Sequence, residues 1–359
     1  MLFEPYQFRT LSLQNRLVMA PMTRNRATVD HLPTPEMAEY YAQRASMGLI
    51  ITEGTSPSPD GLGYARIPGI FSAAQGDAWR ETTEAVHAKG ARIFVQLMHN
   101  GRASHVANMP AGSRVVSSTV TPLPDPIYTD DAGLQPASTP HCLSVEEIAT
   151  VVAEYASAAT VAMAAGFDGI ELHAANGYLI EQFLNPLVND RTDGYGGAIV
   201  ARNRFALEVS RACIKAIGAD RVGIRISPYG VFNGTGAFPD MDTQYLSLVT
   251  ELSVLDVLYV HLVDHSSMGA PAVPAPFKHT LRKAFTGAFI ASGGMNRERA
   301  EAVLATGEAD LIAFGRTSLA NPDLRERLED DVALNKPDMA TFYTAGEPGY
   351  ADYPVALAV

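Results

Sequence analysis

The chain has 359 residues, 47% of them apolar and 18% charged, and its 39 acidic side chains outnumber 27 basic ones for a net charge of −12. That length suits two average domains or one large α/β barrel, and the acidic balance argues against a dedicated nucleic-acid or polyanion binder while leaving room for a local basic pocket. Cys142 and Cys213 stand far apart with no CxxC partner, so a disulfide framework, a zinc ribbon and an iron–sulfur cluster are unsupported; the opening MLFEPYQFRT is not a signal peptide, no apolar run is long enough to span a bilayer, and a cytoplasmic protein is expected.

In chain order, residues 1–15 have turn chemistry and are expected to plug the bottom of a barrel. RLVMAP (16–21) reads as the first strand. Thr34-Pro35-Glu36 opens a helix as cap, first-turn proline and acidic first turn, and Gly48 is read as its end. LIITEG (49–54) follows as a second strand. Ser72 with Gln75 forms a capping box for the next helix, which leads to the strand RIFVQLMH (92–99).

Residues 100–143, rich in Pro, Ser and Asp, read as one long structureless insertion, a length that usually marks a lid or binding loop. Ser144 with Glu147 is a second capping box, for a helix that stops at Gly166. GIELHAA (169–175), a helix over 198–217, VGIRIS (222–227), VLYVHLV (257–263), AFIASGG (288–294), a helix from Asn296 to Gly307, and LIAFGR (311–316) complete the alternation. The strand runs are continuously apolar, as strands covered on both faces should be. Eight such strands alternating with helices predict a single-domain (β/α)₈ TIM barrel over residues 1–359. The rival, a doubly wound open sheet, lacks a GxGxxG after the first strand.

In such barrels the reactive groups sit at the carboxyl ends of the strands. Those ends offer Thr23, Gly54, Gln96 with His99, His173 with Asn176, Arg225, His261, Gly293-Gly294 and Gly315-Arg316. The last two pairs form a candidate phosphate cradle, because glycine lets backbone N–H groups approach an oxyanion and Arg316 adds a fixed cation. The same glycines could instead serve only tight βα turns. Thr23, Gln96 and Arg225 suit a flat heterocycle with alternating N–H and C=O edges, although a sugar phosphate could use them too.

The stretches APMTR (20–24), MAEYYAQRAS (37–46), VQLMHNGR (95–102), FDGIELHAANGYLIEQFLNPLVNDRTDGYGG (167–197), GIRISP (223–228), AFGR (313–316) and FYTAGEPGYADYP (342–354) together resemble the Old Yellow Enzyme family of FMN-dependent ene-reductases over nearly the full length. The resemblance implies FMN as cofactor and NADPH as reductant. Thr23 would bond the flavin C4 carbonyl, Gly54 and Gln96 would contact the ring, and Arg225 would sit by its N1/C2 side. Gly293, Gly294, Gly315 and Arg316 would hold the phosphate. His173 and Asn176 would bind the substrate oxygen, Tyr178 would donate a proton, and Tyr64 and Tyr343 would line the substrate pocket.

Two departures matter. Met98 stands where many relatives carry tryptophan, which implies a more open or plastic pocket, and Asn176 stands where members divide between histidine and asparagine. Thr23 places the chain with the threonine-bearing branch. Expected partners are small activated alkenes, with no nucleic acid and no membrane; the oligomeric state, monomer or homodimer, is left open. His99, His261 and Glu53 read as supporting groups, and Asp190, Arg191, Asp193 and Tyr195 as a loop scaffold in which Arg191 pairs a carboxylate. Three other functions compete: a phosphate-binding isomerase or aldolase, for which no strand ends in lysine; a metal hydrolase built on His99, His173 and His261; and a flavin-binding protein without turnover.

Overall fold

The computed structural model describes residues 1–9 and 11–356. Each apolar run becomes a strand: β1 (Leu17–Met19), β2 (Leu49–Thr55), β3 (Arg92–Leu97), β4 (Gly169–Ala174), β5 (Val222–Ile226), β6 (Tyr259–Val263), β7 (Ala288–Ser292) and β8 (Leu311–Phe314). All pair in parallel in chain order, and β8 returns to β1 to close the barrel. Successive residues of a strand point to opposite faces, so each run divides into two sets. Ile170, Leu172 and Ala174 face the surrounding helices with Val222, Ile224 and Ile226, while Val18, Leu49, Ile51, Phe94, Tyr259, Ile290 and Leu311 fill the barrel's lower interior.

Helices α1 (Pro35–Gln43), α2 (Ala73–His87), α3 (Val145–Ala164), α4 (Leu179–Leu184), α5 (Ile199–Ile217), α6 (Met241–Val254), α7 (Ala275–Ala284) and α8 (Arg297–Thr306) wrap the sheet. Both capping boxes form: Ser72 and Ser144 each accept from the backbone N–H three residues on, and Gln75 and Glu147 reach back. Asn296 caps α8, and Gly307 ends it in the left-handed conformation. None of the described helices is long and apolar enough to cross a membrane.

Tyr6–Phe8 and Leu11–Leu13 pair as an antiparallel hairpin, and Leu13 and Tyr6 pack against the lower interior, as the expected plug requires. Two expectations need correction. Helix α1 stops at Gln43, short of Gly48. Gly48 is small for a different reason: its N–H donates to Asn15 Oδ1 at 2.8 Å, and a Cβ there would lie 2.2 Å from the Asn15 carbonyl oxygen.

The insertion 100–143 is not structureless. It holds a 3₁₀ turn (Val106–Asn108), a hairpin (Pro126–Thr129 with Gly133–Pro136) and the short strand Val116–Ser117, which pairs with His141–Cys142. Its apolar residues Ala103, Leu123 and Ile127 cluster against Tyr64 and Tyr178, which binds the insertion to the barrel mouth. In the loop after α4, Arg191 pairs with Asp193 at 2.5 Å, as expected.

Because Ser144 caps the longest of these helices, Ser144→Ala should lower unfolding free energy by about 1 kcal/mol without changing the urea m-value. Urea denaturation measures this, and an unchanged midpoint would mean the cap contributes nothing.

Candidate active site

A cavity of about 1150 Å³ opens at the carboxyl ends of the strands. Single small-molecule sites usually occupy about 300–1,000 Å³, so this one has room for a cofactor and a second molecule. Its lining includes Thr23, Gln96, Arg225, Gly293, Gly294, Gly315 and Arg316, and also His173, Asn176, Tyr178, Tyr64, Met98 and Tyr343. Gly54 alone among the expected residues does not reach it. A Cβ on Gly54 would lie 2.3 Å from the Met98 sulfur, so the Met98 side chain covers this glycine and presents its own flank to the cavity.

Arg225 is 7% exposed, its Nε has no hydrogen-bond partner, and it forms no ion pair among the described residues. Burial lowers its pKa, yet an arginine keeps its charge under any physiological condition. A desolvated cation held this way calls for an anionic or strongly accepting ligand. Two strands along the barrel, after β7, Gly293 and Gly294 both take positive φ, and a Cβ on Gly293 would fall 1.9 Å from the Asp264 carbonyl oxygen. A Cβ on Gly315 would make only ordinary contact, with the Met22 sulfur at 3.8 Å, so nothing crowds this position at the cavity.

His173 stands in register with Arg225 and is buried. Burial, then the neighbouring Arg225, holds its pKa well below the ordinary range, so the imidazole is neutral. The Ala175 N–H donates to its Nδ1 at 3.3 Å, which places the ring proton on Nε2, free to donate into the cavity. The chain then turns through two left-handed residues, Asn176 (φ 59°) and Gly177 (φ 74°). An Asn-Gly pair tolerates this conformation best, and a Cβ on Gly177 would strike the Phe232 carbonyl oxygen at 2.5 Å.

Buried Glu181 fastens the turn. It accepts from the Gly177 N–H at 2.5 Å, from Tyr245 at 3.0 Å and from the Ser227 hydroxyl at 3.1 Å, while Ser227 Oγ accepts from the Asn176 N–H at 2.9 Å. Asn233, absent from the expected set, donates to the Asn176 carbonyl at 2.7 Å from the loop after β5. Beyond the turn, the Tyr178 ring packs edge-on against His173 with centroids 4.8 Å apart, and against Tyr64 at 6.1 Å. Burial, then the Tyr64 phenol, pushes its pKa well above 10, so its proton stays in place at neutral pH.

The supporting residues fall where expected. His99 is driven down to a pKa of about 3 by burial and accepts from the Gly101 N–H at 3.1 Å. His261 lies 2.9 Å from Glu171 and 3.1 Å from Ser292. The three histidines thus have separate tasks, and among the described residues no three His, Cys, Asp or Glu side chains group as metal ligands. Glu53 accepts from the Arg24 N–H at 3.2 Å and from Tyr41, a buttress behind the Thr23 segment.

Residues 340–345 close one side of the mouth as a strap. Arg24 donates to the carbonyls of Phe342 and Gly349, and Arg26 donates to those of Thr341, Phe342, Gly346 and Pro348 at 3.0 to 3.1 Å. Arg66 ties the strap to the insertion, donating to the Tyr343 carbonyl at 3.2 Å and pairing with Asp130.

A closed parallel barrel thus carries a polar rim, a buried arginine with no ion pair among the described residues and a wall lined by glycines, the parts of a barrel enzyme's ligand site. Residues 1–335 match the NADH:flavin oxidoreductase / NADH oxidase family. The chain is 42% identical to 12-oxophytodienoate reductase 7 of Oryza sativa subsp. japonica, covering 98% of this chain and 94% of that protein. It is also 42% identical to a probable flavin mononucleotide-dependent alkene reductase of Leishmania infantum, over 95% and 94% of the two chains. Among solved structures, morphinone reductase in complex with tetrahydroNAD superposes with a TM-score of 0.93 at 42% identity, over 99% of this chain and 97% of the other. The chain belongs to this FMN-dependent family, that of Old Yellow Enzyme.

Burial raises the pKa of Glu181 from 4.5 to about 7 against the pull of its hydrogen bonds. Between those values the folded protein keeps a proton that the unfolded chain has released, so stability falls as pH rises through this window. Glu181→Gln should flatten that fall, read as the difference between urea midpoints at about pH 5 and about pH 8. A variant with the wild-type pH slope would refute the assignment.

Proposed function

We propose that the protein is an FMN-dependent ene-reductase that uses NADPH to saturate alkenes conjugated to a carbonyl or nitro group, such as enones, enals, maleimides and nitroalkenes. One observation carries the reading. A buried cation without an ion-pair partner among the described residues and a neutral histidine with an Nε2–H facing the cavity, beside the Asn176 amide and the Tyr178 hydroxyl, share one cavity. Bound FMN would supply two-electron chemistry, accepting hydride from the nicotinamide and giving it to the alkene β-carbon. The residues fit that cofactor: Thr23, Gln96 and Arg225 would hold the ring, and Gly293, Gly294, Gly315 and Arg316 the phosphate.

His173 and Asn176 act on the substrate's activating oxygen. Negative charge grows there as hydride arrives, and two N–H donors fixed in advance stabilise it without reorganising. Losing one such donor costs about 2.7–4 kcal/mol, or roughly 10²–10³ in rate. The depressed pKa of His173 suits this task, because a neutral imidazole keeps its Nε2 proton as a hydrogen-bond donor. Tyr178 holds its proton at neutral pH and delivers it to the α-carbon. Tyr64, Met98 and Tyr343 shape the substrate space. Morphinone reductase has been solved with tetrahydroNAD, which supports a nicotinamide reaching the same mouth.

The test separates the two half-reactions. Anaerobic FMN-loaded protein should be reduced by NADPH and reoxidised by 2-cyclohexenone or maleimide, and a parallel titration with NADH checks the choice of nucleotide. Tyr178→Phe should leave reduction by NADPH nearly unchanged and slow alkene reduction about 10²-fold. His173→Ala should slow alkene reduction by a similar factor or more. Equal loss in both half-reactions for Tyr178→Phe would refute the proton-donor role.

A further inference from the structure

Glu171 lies two residues before His173 on β4, so it shares the inward face, one step deeper and fully buried. Its Oε1 accepts from Gln96 Nε2 at 2.8 Å, and its Oε2 is 2.9 Å from His261 Nδ1. His261 Nε2 lies 3.1 Å from Ser292 Oγ, on the residue before Gly293-Gly294. A buried chain of polar contacts therefore crosses the barrel beneath the cavity floor, from β3 to β7.

The identity of the atoms follows from the carboxylate. It has no proton to offer, so the Gln96 atom facing it must be N–H, which resolves the two-fold ambiguity an amide otherwise has. Gln96 lines the cavity, so its Oε1 is the end left for a ligand. By the same logic His261 donates from Nδ1 and accepts at Nε2. Both Glu171 oxygens are thereby engaged, the Tyr259 phenol also interacts with this carboxyl, and Arg225, in register between His173 and His261, feels the Glu171 charge without forming an ion pair among the described residues.

We propose that Glu171 is a positioning residue for the flavin. By holding Gln96 Nε2 it makes the floor an acceptor for a ring N–H, and as a buried anion it biases the bound flavin against reduction. The inference rests on the FMN reading above. A glutamine at 171 could accept from only one of Gln96 and His261. If its oxygen stays with His261, its amide N–H turns Gln96 over and presents a donor where an acceptor is needed.

The experiment measures the dissociation constant of oxidised FMN and the midpoint potential of the bound flavin by dye equilibration. Glu171→Gln should weaken FMN about tenfold and raise the potential, a tenfold change in the reduced-to-oxidised affinity ratio being about 30 mV for a two-electron couple. Glu171→Asp keeps the charge but withdraws it from Gln96, so affinity should fall with the potential near that of the wild type. In a Gln96→Ala background, Glu171→Gln should cost no further affinity. Wild-type affinity and potential in Glu171→Gln overturn the proposal, and if that variant does not fold, wild-type affinity in Glu171→Asp overturns it instead. A wild-type chain without affinity for FMN overturns the cofactor reading along with it.

Discussion

Charge placed inside a β-barrel is the constraint that organises this molecule. Taking a carboxylate or a guanidinium out of water costs several kcal/mol unless partners replace the lost solvent. Glu171 meets the requirement inside the protein, through Gln96 and His261. Arg225 does not, since its Nε is left without a partner. The interior therefore grades from an apolar bottom layer of Leu49, Phe94 and Ile290, through a satisfied polar middle, to an incompletely satisfied rim. The sheet tolerates the rim because the layers beneath it and the helices around it supply the hydrophobic burial. What the rim lacks, a ligand can provide.

The loops carry this logic upward. The Asn176-Gly177 turn is held from below by Glu181 and Ser227 and from the side by Asn233, so three separate segments meet at two residues. Tyr178 follows immediately and is wedged between His173 and Tyr64. The groups that would act on a substrate are thus fixed by contacts that do not themselves touch it. This is how an N–H donor and a phenol can wait in place rather than assemble on demand.

Much of this was legible in the residues. Continuous apolar runs identified all eight barrel strands, because burial on both faces leaves a strong local trace, and the two capping boxes marked helix starts through chemistry confined to four residues. The rim followed from asking what each strand ends in. The failures have local causes as well. Gly48 reads as a helix stop because glycine often is one, but its role is set by Asn15, more than thirty residues away. The insertion reads as structureless because it is rich in Pro, Ser and Asp, whereas Pro126 and Pro136 sit in a two-stranded hairpin. Gly54 was placed at the cavity, and only the packing of Met98 shows otherwise. Glu171 was passed over although strand alternation puts it on the same face as His173. Asn233 left no signal, since nothing in its own loop announces a bond to the Asn176 carbonyl.

The strap over the mouth is held in a particular way. Arg24 and Arg26 grip it almost wholly through carbonyl oxygens, which every amino acid possesses. Its backbone is clasped, Phe342 packs beside Leu319 and Ala320, and Thr344 accepts from Arg26, while the Tyr343 side chain stands 62% exposed. Tyr343 can therefore be rewritten without loosening the clasp, because the grip on it falls on its carbonyl alone. Evolution, or an engineer, has there a replaceable faceplate on a fixed machine, through which the shape of the cavity's mouth can drift while the barrel and its buried charges stay as they are.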